Sequence, residues 1–224
     1  MKKIETHLHT APSSVCAIEY PRDIARIYKK AGYNAMVVTN HLWDRILLEW
    51  KRAGFEPMQE YLRGYRDMKK EGGKVGLSVY LGAEVHLAAH PEREWPYDEF
   101  LLYGITEEFL LSNQDITEWT QEKLYKTCRD RGILVFQAHP CRDYCTPADA
   151  KYMDGAEVYN ANPRHNSMND EALAWAKKNK KMMISGSDFH MRGDEVSGIL
   201  VDDNVTDYDK LVKAIRTNNF KLIN

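Results

Sequence analysis

Short apolar runs recur along this sequence, and nearly every one ends, on its carboxyl side, in a side chain that can bind a metal. Residues 3–6 lead into His7 and His9, and residues 34–39 into His41. The run 79–83 ends at Glu84, 135–138 at His139, and 184–187 at Asp188, with His190 two further on. Glu157 sits in a shorter run, 156–159, behind Gly155. Residues two apart in extended chain point to the same side, so His7 and His9 share a face, as do Asp188 and His190.

Helical patterns separate the runs. Ile24, Ala25, Ile27, Tyr28 and Ala31 recur at helical spacing behind Pro21, and Gly32 ends them. Residues 42–71 read as one or two helices broken by Gly72 and Gly73. Thr117 begins a helix that runs to about Arg131, with Gly132 as its cap. Ser167 or Asn169 caps another through Asn179, and 207–217 form the closing helix. Residues 75–85, 100–105 and 197–201 complete the strands, and 91–96 are a polar loop. This alternation predicts an α/β fold, a parallel sheet with crossover helices, in one domain over residues 1–224. In α/β barrels the carboxyl ends of the strands carry the active site, which is where the metal-capable residues fall.

Histidine with carboxylate suits zinc, manganese or iron. A lone histidine is more often a solvated or hydrogen-bonded residue, and His90 and His165 fit that reading. His86 shares a face with Glu84 and is open to either. Glu157 could equally orient a ligating histidine. Charged groups gathered at the mouth of a core are costly unless paired or metal-bound, which favours a metal site over coincidence.

Composition narrows the partners. With 31 basic against 33 acidic residues, net charge is -2, so nothing pulls the chain towards nucleic acid or a membrane surface. No stretch approaches the roughly 18 uninterrupted apolar residues of a membrane span. The start of the chain lacks the apolar core of a signal peptide. Cys16, Cys128, Cys141 and Cys145 show no disulfide framework, and a cytoplasmic protein with reduced thiols is expected. Cys141 and Cys145 could belong to a structural zinc knuckle, but no C-x-x-C accompanies them.

Taken in order, His7-Leu8-His9-Thr10, Val38-Thr39-Asn40-His41, Gly82-Ala83-Glu84, Ala138-His139-Pro140 and Gly186-Ser187-Asp188-Phe189-His190 resemble the PHP family, named for polymerase and histidinol phosphatase. The resemblance implies a distorted (β/α)7-type barrel with two or three divalent ions (Zn, Mn or Fe) and hydrolysis of phosphate esters. It implies that His7, His9, Glu84 and Asp188 bind one ion, Glu84 and His139 a second, and His41 and His190 a third. Three departures from the family pattern stand out. No acid or histidine follows H-x-H-T closely, Asn40 replaces a common Asp, and no histidine lies in the strand matching 98–104. Cys16, His86 or Glu157 could fill the gaps.

The expected chemistry is hydrolysis of a small phosphomonoester, histidinol-phosphate-like or nucleotide-like, by metal-activated water. Asp188 or His190 would guide the proton. Arg142, three residues after His139, would grip the phosphate, with Arg164 and Arg192 as weaker candidates. Three alternatives remain: a nuclease or diesterase acting on nucleic-acid ends, a metal-dependent amidohydrolase, and a non-catalytic module stabilised by metal. The amidohydrolase reading calls for a bridging lysine where this chain has Glu84. Trp95, Tyr103 and the aromatic stretch 43–65 could form a lid or subunit contact, or simply core and surface.

Overall fold

The computed structural model describes residues 1–87, 98–194 and 196–224; His90, Trp95 and the loop expected at 91–96 lie outside these. In chain order the elements are β1 (Lys2–Leu8), α1 (Pro21–Lys30), β2 (Ala35–Val38), β3 (His41–Leu42), α2 (Asp44–Arg52), α3 (Pro57–Lys74), β4 (Ser78–His86) and β5 (Glu99–Tyr103). Then follow α4 (Glu107–Ser112), α5 (Gln121–Arg129), β6 (Leu134–Gln137), β7 (Gly155–Asn160), α6 (Asn169–Lys178), β8 (Met182–Gly186), β9 (Gly198–Val201), α7 (Tyr208–Arg216) and β10 (Lys221–Ile223). No helix among the described residues is long and apolar enough to cross a membrane.

The strands form one sheet in the order β10-β9-β1-β2-β4-β5-β6-β7-β8, with β3 extending the β4 side. The sheet curls until its far strand meets β1. Thr6 Oγ1 donates to the Ser185 carbonyl at 2.5 Å, His9 N donates to the Phe189 carbonyl at 2.9 Å, and Leu8 bridges Phe189 in parallel. The strands β1, β2, β4, β5, β6, β7 and β8 therefore ring a nearly closed, distorted barrel, as expected.

The sheet is mixed rather than all parallel, which corrects the sequence reading. Pairs β1–β2, β2–β4, β6–β7 and β7–β8 are parallel, but β5 runs antiparallel to both β4 and β6, and β9 runs antiparallel to β1 and β10. Other boundaries also move. Gly72 and Gly73 do not break a helix; α3 runs through them, and Gly72 allows close packing, since a Cβ there would lie 2.5 Å from Val79 Cγ2. The helix expected from Thr117 splits into a short turn at Ile116–Glu118 and α5, which Thr120 caps by accepting from Lys123 N. Neither Ser167 nor Asn169 caps α6; Met168 holds that position. Chain after the closing helix adds β10.

Two apolar clusters line the two faces of the sheet. One joins Leu8, Met36, Val38, Leu81 and Phe100 to the helices through Ile24, Tyr28, Tyr61, Leu62 and Leu124. The other gathers Ile4, Val37, Leu101, Tyr103, Leu134, Phe136 and Ile184, with Leu211 and Ile215 of α7 among them. Tyr103 belongs to this interior, not to a lid.

Strand β1 changes face between these clusters. Ile4 belongs to the interior cluster and Leu8 to the helix-facing one, although residues four apart in a regular strand share a face. The pairing explains this: from Glu5 to Leu8 β1 advances three residues while β2 advances two, Met36 to Val38. This bulge turns His7 and His9 inward. Its unpaired amides are met by Glu5, whose Oε1 accepts from Thr6 N (2.8 Å), His7 N (2.9 Å) and Ser187 N (3.0 Å). Glu5 Oε2 accepts from Ser187 Oγ at 2.6 Å and Tyr28 OH at 2.9 Å. Burial pushes the Glu5 carboxyl above its ordinary range, and the bonds from Ser187, His7 and Tyr28 act against that. A second bulge interrupts β7, where Glu157 pairs with Ile184 but Tyr159 with Ser185, and it lets Glu157 and Asn160 face the same interior.

Glu5→Gln keeps the shape but offers a single acceptor oxygen to these donors. We expect urea unfolding to show a loss of about 2–3 kcal/mol. A variant within about 0.5 kcal/mol of wild type would show that the bulge does not depend on this carboxylate.

Candidate metal centre

All seven residues expected as metal ligands converge at the barrel mouth, and all are buried. His7 and His9 come from the β1 bulge and its exit, His41 opens β3, and Glu84 stands near the end of β4. His139 follows β6, and Asp188 and His190 follow β8. His139 and Asp188 adopt positive φ, 25° and 52°, a region that favours glycine. Gly186 keeps the approach to Asp188 narrow: a Cβ there would lie 2.4 Å from His7 Cβ and 2.7 Å from Glu157 Oε1.

The donor atoms fall into four overlapping groups, within each of which they lie inside 4.8 Å of one another: His7, His9 and Asp188; His7, Glu84 and His139; His41, Glu84 and Glu99; and His9, His41 and His190. Glu99 is a ligand candidate the sequence pattern does not place. That pattern puts the carboxylates after apolar runs, and Glu99 stands before one. Because β5 is antiparallel to its neighbours, its first residue lies at the mouth. The sequence signal for this reversal is Pro91 and Pro96, which disfavour a crossover helix ahead of the strand.

Hydrogen bonds behind the cluster fix the imidazoles. Glu157 Oε1 can only accept, so His7 Nδ1 at 2.9 Å carries the proton and Nε2 presents its lone pair. That nitrogen lies 3.2 Å from Glu84 Oε1 and 3.5 Å from Asp188 Oδ1. Ser14 Oγ, which donates to Asn40 Oδ1 at 3.1 Å, accepts from His9 Nδ1 at 3.2 Å. His190 Nδ1 donates to the Asp188 carbonyl at 2.8 Å. Asn40, where an Asp was expected, therefore organises the loop through Thr10 and Ser14. Glu157 also accepts from His139 N at 3.1 Å, so it supports ligands rather than joining a donor group.

The result is a set of lone pairs facing one another. His7 Nε2 and His9 Nε2 are 3.1 Å apart. His41 Nδ1 and Glu84 Oε2 approach to 2.5 Å as an ion pair, yet neither makes a well-aligned hydrogen bond among the described residues. A proton or a cation between such atoms removes the conflict, and the mix of imidazole and carboxylate suits a divalent ion. The residues present thus fit the metal that the motifs imply.

The electrostatics agree. Burial alone would lower His7 and His41, but the charges of Glu157, Asp188 and Glu84 hold His7 well above the usual histidine value, and Glu84 does the same for His41. His9 lies well below it, through burial and the charges of His41 and His190. Burial would raise Glu84 and Asp188, yet cationic neighbours hold both well below the carboxylate range. Glu99, buried beside Glu84, is pushed up to about 7.

The mouth opens into a cavity of about 600 Å³ lined by Cys16, His41, Trp43, Glu99, His139 and Arg142, among others. Arg142 is only 4% exposed. Its Nη2 donates to Asp188 Oδ2 at 2.7 Å and Asn160 Oδ1 at 3.0 Å, its Nε donates to Ser167 Oγ at 3.3 Å, and its Nη1 donates to Tyr144 OH at 3.2 Å. Arg164 lines the cavity too but is paired with Asp194. Arg192 is exposed and is not among the lining residues. His86 lines the wall near Trp43, outside the donor groups, and His165, expected as surface, is exposed at the rim. Cys16 lies 3.1 Å from His190 Nε2. Cys141 and Cys145 form no donor group among the described residues, so the zinc-knuckle reading finds no support.

No family model matches the chain. It is 24% identical over 185 residues to MJ1587 of Methanocaldococcus jannaschii, an uncharacterized protein, covering 76% of this chain and 89% of that one. Among solved structures it superposes with a TM-score of 0.68 and 16% identity on a two-domain protein from Bacteroides vulgatus that contains a predicted PHP-like metal-dependent phosphoesterase. That match covers 99% of this chain, which spans 64% of the larger protein. An amidohydrolase from Chromobacterium violaceum, solved with bound sulfate, aligns with a TM-score of 0.57 and 12% identity over 86% of this chain and 89% of its own. Together the likenesses and the sheet topology give this chain a PHP-like α/β barrel fold.

Proposed function

We propose that this chain is a metal-dependent hydrolase that cleaves small phosphomonoesters. The observation that carries this reading is the convergence of five buried imidazoles with Glu84, Glu99 and Asp188 at an open cavity that also holds a buried arginine. A closed structural site would need about four ligands and no access; this one is larger and open, which favours catalysis.

His7, His9, Glu84 and Asp188 would hold one ion, Glu84, Glu99 and His139 a second, and His41 and His190 a third. Ions bound there would supply activated water and neutralise charge on the phosphoryl group. The chain's own residues do the rest. Glu157 keeps His7 in the tautomer that presents Nε2, and Ser14 does so for His9. Arg142 holds the Asp188 carboxylate from behind and brings a permanent positive charge to the cavity wall, where it favours an anionic substrate. His190 stands at the cavity edge with Nδ1 fixed, so its Nε2 would serve as the ligand while the third ion is bound and could take or give a proton only without that ion.

The amidohydrolase likeness supports a second reading, hydrolysis of an amide or lactone at the same site. Glu84 at the central position, rather than a bridging lysine, makes it the lesser of the two.

Metal-stripped protein should release phosphate from histidinol phosphate, nucleotides or p-nitrophenyl phosphate only when Mn, Zn or Fe is restored. His7→Ala and Asp188→Asn should each lower the rate at least about 100-fold, and Glu157→Gln should weaken metal binding roughly 10–100-fold. Metal-loaded protein that releases no phosphate but opens amides or lactones would move the assignment to the second reading.

In metal-stripped protein the raised His7 and His41 hold protons near neutrality. Ion binding must displace them, so apparent affinity should climb as pH rises from about 6 towards the folded-state values. Calorimetric titration in buffers of differing ionisation enthalpy should show about one to two protons released per chain. Binding with no proton release would contradict this charge assignment.

A further inference from the structure

Glu99 reaches the mouth of the barrel on β5, which runs against both of its neighbours. The strand direction that aims the other ligands therefore does not aim this one. Its side chain is oriented instead by Trp43, whose Nε1 donates to Glu99 Oε1 at 3.0 Å. Oε2 is left on the other side, 3.5 Å from His139 Nε2. An indole N–H can only donate and an ionised carboxylate can only accept, so this bond has one sense.

Trp43 is itself held. It stands at the N-cap of α2, where its carbonyl accepts from Ile46 N and Leu47 N at 3.1 Å each. Its backbone is extended, so its side chain falls on the same side as that of His41, two residues earlier. The two rings lie 4.2 Å apart, tilted by 30°. His86, which pairs with Glu99 across β4 and β5, meets the indole in a T-shaped contact at 6.4 Å. One side chain thus touches both His41 and Glu99, which belong with Glu84 to one donor group. It is only partly buried and forms part of the cavity wall.

Packing alone would ask for an apolar ring at this place. It does not account for an N–H aimed at a buried carboxylate. Asp188 is held from behind by the charged guanidinium of Arg142. Glu99 is held by a neutral donor, which orients the carboxylate and leaves its negative charge for an ion. We propose that Trp43 is a positioning residue of the metal centre: its indole N–H fixes Glu99, and its ring braces His41 against the cavity. This inference rests on the metal-centre reading but not on the identity of the substrate.

Metal-stripped wild type, Trp43→Phe, Glu99→Ala and the double variant are titrated calorimetrically with Zn(II), with circular dichroism to confirm the fold. Trp43→Phe keeps a ring and removes the donor. It should weaken one class of bound ion roughly 10-fold or more and leave the others unchanged. In the double variant Trp43→Phe should add little to the loss caused by Glu99→Ala, because both act on one ligand. A role in packing alone would instead multiply the two losses. A second readout needs no substitution at position 43. The Trp43 indole N–H resonance, assigned through its contacts with His41, should shift when Zn(II) binds and should differ in Glu99→Ala. Wild-type affinity in Trp43→Phe, independent losses in the double variant, or an indole resonance indifferent to both zinc and Glu99→Ala overturns the proposal and leaves the metal centre standing. If wild type binds no zinc, the positioning role and the metal-centre reading fall together.

Discussion

Glu5 has no contact with water, and five N–H and O–H groups from β1, α1 and the segment after β8 converge on its two oxygens. The carboxylate sits directly beneath the metal centre without facing it. It compensates amides that a bulge has removed from ladder pairing, and it joins the first strand of the barrel to the last. The relative placement of His7 and Asp188, whose donor atoms gather with that of His9, depends on that joint. Closure of the sheet and geometry of the site are therefore one problem in this fold.

Above that joint the molecule tolerates crowding that would be unfavourable in an ordinary core. Glu84, Glu99, Glu157 and Asp188 lie among His7, His9, His41, His139 and His190, almost all shut off from water. Their opposing displacements, His7 and His41 upward and His9 downward, are those of groups that compete for too few protons. Perturbed groups of this kind cluster where a protein gives up local stability for chemistry. Arg142 answers part of the excess negative charge and ties Asp188 to Asn160 and Ser167, outside the circle of donors.

Much of the centre is legible in the amino-acid sequence. The rule that strand ends carry the chemistry locates His7, His9, His41, Glu84, His139, Asp188 and His190, because those strands run in the same direction around the barrel. The rule fails where direction reverses, and so it passes over Glu99. Strict alternation fails at the two bulges: Glu157 and Asn160 are three residues apart yet face the same interior. Glu5 reads as one more polar residue in a short strand, since nothing local to it reveals that its donors come from residues 28 and 187. Gly72 and Gly73 read as breakers because helix propensity ignores what lies across the interface; packing against Val79 outweighs the backbone cost at Gly72, while Gly73 faces open space.

The left-handed corners at His139 and Asp188 bear on how far such a centre can be moved. Each conformation costs about 1–3 kcal/mol in a residue that carries a side chain, and here the surrounding barrel holds both in place. A designer who copied the ligand identities onto the strand ends of a regular barrel would obtain side chains that leave their strands at the wrong angle. What must be transplanted is the backbone: two bulges, two corners and a glycine that lets His7 and Glu157 meet. The ligands are the easiest part of the centre to imitate and, taken alone, the least informative.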